Sequence, residues 1–114
     1  MAVPHFGLAD RIIAIVDRNG IQNDGFADEI MRTDPPAMFA GFGWRVIEVD
    51  GHDMAAVDQA LTEAERPHEQ PRVVVAHTVK GRGVSYMENN PAFHGKAPTR
   101  AQLDQALSEI EAGL

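Results

Sequence analysis

Three short apolar segments, separated by stretches of helical periodicity, constrain the fold of this chain more than any other feature. The segments are RIIAIVD, WRVIEVD and RVVVAHT, at residues 11–17, 44–50 and 72–78. All are rich in β-branched residues. The first and third are nearly continuous apolar runs, which is typical of strands covered on both faces of a parallel sheet. The second contains charged residues and alternates more, which favours a position nearer the edge.

Helical patterns separate these strands. Residues 53–66 carry an apolar stripe at helical spacing, with Asp53 as a favourable N-cap and Pro67 as the stop. Residues 35–43 match a shorter helix that begins with proline and ends with glycine. Strands that alternate with helices predict βαβ units with right-handed crossovers, and therefore an α/β fold with a parallel sheet.

A last helix is predicted from Thr99 onwards. Thr99 and Gln102 form a capping box at its start. The predicted buried face consists of the apolar residues at helical spacing, Leu103, Ala106, Leu107 and Ile110. The predicted helices are too few to cover both faces of a three-stranded sheet. We therefore expect residues 1–114 to form one partial domain that belongs to a larger α/β domain.

Composition excludes several classes of protein. The 114 residues include no cysteine, which excludes disulfides and thiolate metal sites. The net charge is −7 and lysine or arginine runs are absent, which argues against nucleic-acid binding. The longest apolar stretch, residues 12–16, is far shorter than the ~20 residues of a membrane span. We expect a soluble, cytoplasmic domain without membrane or nucleic-acid partners.

A polar segment, DRNGIQNDG at residues 17–25, follows the first predicted strand and fits neither a helical nor a hairpin pattern. Parallel α/β sheets bind ligands beyond the carboxyl ends of their strands. The amide oxygen of Asn19, with backbone carbonyls turned back around Gly20, would supply hard oxygen ligands for Mg²⁺ or Ca²⁺. The alternative is a turn in which Asn, Asp and Gly tolerate left-handed backbone and form Asx turns. Composition alone favours the turn.

A second polar segment, HTVKGRGVSYMENNPAFHGKAP, follows the third predicted strand. An irregular segment of this length is typical of functional or disordered loops. Its KGRG patch begins at Lys80 and suits a phosphorylated ligand, because glycine permits close backbone approach. His94 could act as a general acid, a general base or a hydrogen-bond donor to phosphate. The alternative is a solvated surface loop without a role in binding.

Four sequence blocks, taken together in order and spacing, resemble the thiamine diphosphate domain of transketolases. They are IIAIVDRNGIQNDG, FGWRVIEVDGHD, VVVAHTVKGRGVSYMENN and FHGKAPT. The resemblance runs from about Leu8 to Leu114 and is strongest to bacterial transketolases split into two subunits. It implies transfer of a two-carbon ketol unit between sugar phosphates, as in the pentose phosphate pathway. It also implies thiamine diphosphate and Mg²⁺ as cofactors, in a homo- or hetero-oligomer.

The resemblance assigns a metal and cofactor site to the first polar segment. Asn19 and the backbone carbonyl of Ile21 match two of the family's three protein ligands to the metal. Asn23 stands where the family places a residue, often isoleucine, against the rings of the cofactor. The third ligand is the aspartate of a Gly-Asp-Gly motif, which we expect to precede residue 1.

The resemblance assigns the substrate side to the second polar segment. His94 matches the family histidine that reaches the diphosphate and the reacting centre, and Lys80 with Gly81 matches a loop beside the active site. The glutamate that activates the cofactor lies on the far side of a dimer interface, in a pyrimidine-binding domain or C-terminal subunit. We therefore expect this chain to be inactive alone and to depend on partner segments.

Two alternatives to transketolase stay open. The first is another thiamine-diphosphate enzyme, such as a deoxyxylulose-phosphate or dihydroxyacetone synthase, although DRNGIQNDG and FHGKAP favour transketolase proper. The second is a truncated, non-catalytic module that pairs with other chains.

Overall fold

The computed structural model describes residues 2–9 and 11–113. Among these residues, no helix is long and apolar enough to cross a membrane. The elements in chain order are α1 (Ala2–His5), β1 (Ile13–Arg18), β2 (Ile21–Gln22), β3 (Gly25–Phe26), α2 (Ala27–Ile30), α3 (Pro35–Gly41), β4 (Arg45–Asp50), α4 (Met54–Glu65), β5 (Arg72–His77), a 3₁₀ helix (Pro91–Phe93) and α5 (Arg100–Gly113).

These elements form two compact units. Unit 1 contains the described residues of Met1–Arg18 and Thr33–Thr78, and unit 2 contains those of Asn19–Arg32 and Val79–Leu114. Unit 1 holds the parallel sheet, and unit 2 holds the two polar segments from Asn19 and from Val79 onwards, together with α5.

The sheet of unit 1 is parallel, with the strand order β1-β5-β4. Arg72 of β5 lies level with Ile13 on one side and Arg45 on the other, so the three strands end at the same edge. The chain returns from β4 to β5 through α4. The predicted α/β fold with a parallel sheet and helical crossovers is confirmed, and so is the edge position of β4.

Two apolar clusters cover the two faces of the central strand. Because successive side chains point to opposite faces of a sheet, Val74 packs in a cluster with Val49 and the α4 residues Ala60 and Ala64. Val73 and Val75 pack on the other face with Trp44 and Phe39. The rings of Phe39 and Trp44 meet edge to face at 5.2 Å between centroids.

The prediction that β1 is covered on both faces is wrong for the described part of the chain. Its burial alternates, and Ile13 and Ile15 are 40% and 64% exposed. The reason is the neighbours of the strand: α4 packs on β4 and β5, so the face of β1 that carries Ile13 and Ile15 is left open. A run of apolar residues is therefore buried in β5, whereas the similar run in β1 is half exposed.

The predicted start of α5 is confirmed, but its predicted buried face is not. Thr99 Oγ1 accepts from the Gln102 N–H at 3.3 Å, and Gln102 Oε1 accepts from the Thr99 N–H at 2.9 Å. Of the predicted face only Ala106 is buried. The exposed members are Leu103, Leu107 and Ile110. The polar contacts of the helix lie on the neighbouring face. There the backbone carbonyl of Gln102 accepts from Tyr86, and the side chain of Gln105 donates to Ser85.

Candidate functional site

The segment that follows β1 folds into a small hairpin within unit 2. Residues Ile21–Gln22 pair antiparallel with Gly25–Phe26. The expectation that this segment has no hairpin pattern is therefore wrong. Asn23 adopts a left-handed backbone with φ 54°, which asparagine tolerates better than most residues. It forms the exposed turn with Asp24.

The hairpin brings Asn19 Oδ1 and the carbonyl oxygen of Ile21 to one edge. Asn19 Oδ1 accepts a hydrogen bond from the Ile21 N–H at 3.0 Å, and Gly20 O accepts from the Ala27 N–H at 2.9 Å. Bonded and non-bonded pairs alternate in an antiparallel ladder, so Ile21, opposite Phe26, turns its N–H and carbonyl away from the partner strand. The Ile21 carbonyl and Asn19 Oδ1 therefore lie on the same edge of the hairpin.

These two oxygens fit part of the shell of a hard divalent cation. Amide and backbone carbonyl oxygens are neutral, hard ligands of the kind that Mg²⁺ and Ca²⁺ accept. Within residues 2–9 and 11–113, no group of three or more His, Cys, Asp or Glu side chains could hold a metal ion. A cation bound here would therefore take the rest of its shell from phosphate, water or another segment, as Mg²⁺ commonly does.

The segment that follows β5 is a compact loop, which we call the 80–94 loop. Lys80 O accepts from the Asn89 N–H at 2.9 Å and closes the turn. Gly81 has a φ of 74°, and a Cβ at this position would lie 2.6 Å from Met87 O. Val84, which lies between Gly81 and Met87 in the sequence, is buried. Lys80 is thus held by its own backbone and by the close packing of Gly81.

His94 follows the short 3₁₀ helix at the end of this loop. Asn90 caps that helix, since its Oδ1 accepts from the Ala92 N–H at 3.1 Å. The His94 N–H donates to Pro91 O at 2.9 Å, and the His94 side chain is exposed. The Lys96 ammonium lies 5.6 Å from the centroid of the Phe93 ring.

All the predicted site residues fall in one compact unit. Unit 2 contains each of Asn19, Ile21, Asn23, Lys80, Gly81 and His94. Both segments of this unit start directly after paired strands, because Arg18 of β1 lies level with His77 of β5. Along the chain, both segments follow strands of a parallel sheet, and residues that follow such strands commonly carry ligand sites.

A carboxylate on α5, which the sequence pattern did not reveal, binds the 80–94 loop. Ser85 donates its N–H and its hydroxyl to the Glu109 carboxylate at 2.6 and 2.7 Å. Gln105 Nε2 donates to the same carboxylate at 2.7 Å and to Ser85 Oγ at 3.2 Å.

The hydrogen bonds from the Ser85 side chain, the Gln105 amide and the Ser85 backbone hold the pKa of Glu109 below its ordinary value. A glutamate whose pKa is lowered in the folded state stabilises that state, and this stabilisation is fully present at pH values above the ordinary pKa of glutamate. That stabilisation is lost as the pH falls through the lowered pKa. The contact is therefore intact at neutral pH.

The carboxyl edge of the sheet in unit 1 is closely packed around Gly51. The Gly51 N–H donates to His77 O at 2.8 Å. The Thr78 hydroxyl donates to the Asp17 carboxylate, and His77 Nε2 pairs with Glu48 Oε2 at 2.8 Å. Sequence reasoning did not find these cross-strand pairs, because their members are 61 and 29 residues apart.

We expect Gly51→Ala to destabilise the fold by about 1–3 kcal/mol, the usual cost of overpacking. A Cβ at Gly51 would lie 2.4 Å from Thr78 Cγ2 and 3.2 Å from Ala76 Cβ. Thr78 cannot move aside without giving up its bond to Asp17. Thr78→Ser removes Cγ2 and keeps the hydroxyl, so the double variant should recover most of the loss. Urea denaturation of the chain measures this, and an equal loss in both backgrounds would contradict the assigned clash.

Comparison with known sequences gives a consistent result. A family model described as "Transketolase, thiamine diphosphate binding domain" matches residues 3–110. The chain is 33% identical over 102 residues to one subunit of the apulose-4-phosphate transketolase of Phocaeicola vulgatus, covering 89% of this chain and 36% of that protein. It is 38% identical over 101 residues to the chromosomal transketolase of Cupriavidus necator, covering 85% and 15%. The chain thus spans about a third of the first relative and less of the longer enzyme.

Solved structures share this fold. A transketolase variant from Pichia stipitis in complex with fructose 6-phosphate superposes with a TM-score of 0.82 at 25% identity, covering 96% of this chain and 17% of that one. The transketolase of Campylobacter jejuni superposes with a TM-score of 0.68 over 98% of this chain and 22% of its own. At 19% identity the second comparison shows the fold alone.

Proposed function

Because the chain belongs to the family of transketolase thiamine diphosphate-binding domains, we propose that it is a segment of a transketolase-like transferase. Its reaction would move a two-carbon ketol unit between sugar phosphates with thiamine diphosphate and Mg²⁺. The observation that carries this proposal is the common edge of the hairpin, where Asn19 Oδ1 and the Ile21 carbonyl lie together. The relatives from Phocaeicola vulgatus and Cupriavidus necator are transketolases by name, which supports transketolase over the related synthases.

Asn19 and Ile21 would hold the metal. Both offer neutral oxygens, so the charge that retains Mg²⁺ comes from the diphosphate and from an aspartate on a further segment of the domain. The bond from the Ile21 N–H keeps the Asn19 amide oriented with its oxygen on the hairpin edge. Asn23, at the exposed turn of the same hairpin, would lie beside the cofactor.

The 80–94 loop would bind the phosphate groups of the cofactor and substrate and would take part in proton transfer. Lys80 supplies positive charge in a chain of net charge −7, and Gly81 permits close approach of the backbone. The imidazole of His94 would donate a hydrogen bond to a phosphate or substrate oxygen. Thiamine diphosphate, when bound, supplies the electron sink for the two-carbon unit.

We propose that the aspartate ligand and the activating glutamate belong to other segments or chains. Three relatives are named as single subunits of transketolases. Their names support an assembly in which a second chain, a C-terminal subunit, supplies the pyrimidine-binding domain with the activating glutamate. The active form would be a homo- or hetero-oligomer. The cysteine-free, acidic composition supports a cytoplasmic location.

Calorimetric titration with thiamine diphosphate and Mg²⁺ tests this proposal. We expect the 114-residue chain alone to bind more weakly than about micromolar (about −8 kcal/mol), because its two metal ligands are neutral. The complete assembly should bind tightly and transfer ketol units. Micromolar or tighter binding by the chain alone would contradict the partial site. An assembly that neither binds the cofactor nor transfers ketol units would contradict the function.

A further inference from the structure

One face of α5 binds two consecutive residues of the 80–94 loop. Ser85 donates two hydrogen bonds to Glu109, from its backbone and from its side chain. The Tyr86 hydroxyl donates to Gln102 O at 2.8 Å. Residues 102, 105 and 109 are three or four positions apart, so they form one stripe on the helix. A carboxylate that accepts both donors of one residue fixes the backbone of that residue as well as its rotamer.

Contacts continue from Tyr86 to His94. Asn90 Nδ2 donates to Tyr86 O at 2.9 Å, and Asn90 Oδ1 caps the 3₁₀ helix. The Tyr86 and Phe93 rings pack with their centroids 5.2 Å apart. His94 directly follows this helix and bonds back to it through its N–H. A short chain of direct contacts therefore joins α5 to the backbone of His94.

The other end of the loop is joined to the same residues. The Val84 N–H donates to Gly81 O at 3.1 Å, and the Glu88 N–H donates to Val84 O at 3.0 Å. Together with the bond from Asn89 to Lys80, these contacts tie the Lys80 turn to the residues on both sides of Ser85. Lys80 and His94 are thus both held through the segment that α5 binds.

We propose that α5 is the positioning element of the candidate site, with Glu109 as a positioning residue that acts through Ser85 on Lys80 and His94. The roles of Lys80 and His94 rest on the proposed function, whereas the anchoring of the loop does not. A loop that is ordered before substrate binds does not have to be ordered during binding, which raises affinity for the substrate.

The assembled enzyme provides the first test. Glu109→Ala should lower kcat/KM by roughly tenfold to a hundredfold, the range of misplaced binding groups, mainly through a higher KM for the ketose phosphate. Glu109→Gln keeps an acceptor for the Ser85 hydroxyl and should recover part of the loss. Glu111→Ala removes an exposed carboxylate from the same helix and should leave both constants unchanged. An effect on folding alone would reduce the amount of active enzyme and leave KM as it was.

Hydrogen exchange on the same assembly separates the two proposals. We expect Glu109→Ala, and more weakly Ser85→Ala, to reduce protection of the Asn89 and His94 amides. An inactive assembly in which Glu109→Ala still reduces this protection would overturn the proposed function and support the anchor. Unchanged protection in an inactive assembly, or unchanged KM in an active one, would overturn the anchor.

Discussion

Replacing Asn19 by alanine in the assembled enzyme should lower its affinity for Mg²⁺ and thiamine diphosphate by at least the ~10–100-fold that loss of an outer-shell partner costs a metal site. The substitution removes the amide oxygen and, with it, the acceptor for the Ile21 N–H. The Ile21 N–H, on the same edge as the Ile21 carbonyl, then loses its acceptor. Activity should return only at high Mg²⁺, which is measured by titrating the metal at fixed cofactor.

Two variants serve as controls for this experiment. Asn19→Asp keeps an oxygen at the same place and still accepts from the Ile21 N–H, so metal affinity should be retained. Asp24→Ala changes an exposed position of the same hairpin turn and should leave cofactor affinity near that of the wild type. Unchanged cofactor affinity in Asn19→Ala would refute the assignment of Asn19 as a ligand.

The sheet was predictable because a strand buried on both faces needs an unbroken apolar run. Val73, Val74 and Val75 of β5 are each at most 1% exposed, as that rule requires. The same rule failed for β1, where Ile15 is 64% exposed. The difference is set by the neighbours of the strand and not by its own residues. An apolar run therefore predicts a strand more securely than it predicts which faces are covered.

The site was predictable only in part, for a related reason. Asn19 and Ile21 follow an evident strand and match a family motif, so their place could be expected. The hairpin around Asn23 was missed, because strands of two residues are too short to show periodicity. Glu109 was missed because Ser85 lies 24 residues away. The prediction also placed the buried face of α5 on its apolar stripe, which is adjacent to the face that carries Glu109.

Replacing Gly81 by alanine should disrupt the 80–94 loop. The residue has a φ of 74°, which costs an L-residue about 1–2 kcal/mol. The new Cβ would also lie 2.6 and 2.7 Å from the carbonyl oxygen and carbon of Met87. These are backbone atoms and cannot rotate away, so the overlap adds about 1–3 kcal/mol. We expect loss of the bond between Lys80 and Asn89 and a fall of at least about tenfold in kcat/KM.

Gly83→Ala is the matched control, since the two glycines share the loop and the left-handed backbone. Gly83 has a φ of 89°, but a Cβ there would have no atom within 4 Å. It should therefore show only the conformational cost, with a smaller effect on KM and on exchange of the Asn89 amide. Equal effects in the two variants would contradict a role for the Met87 contact. A larger loss in Gly81→Ala would show that close packing of the backbone on Met87, and not glycine's backbone freedom alone, holds Lys80 in place.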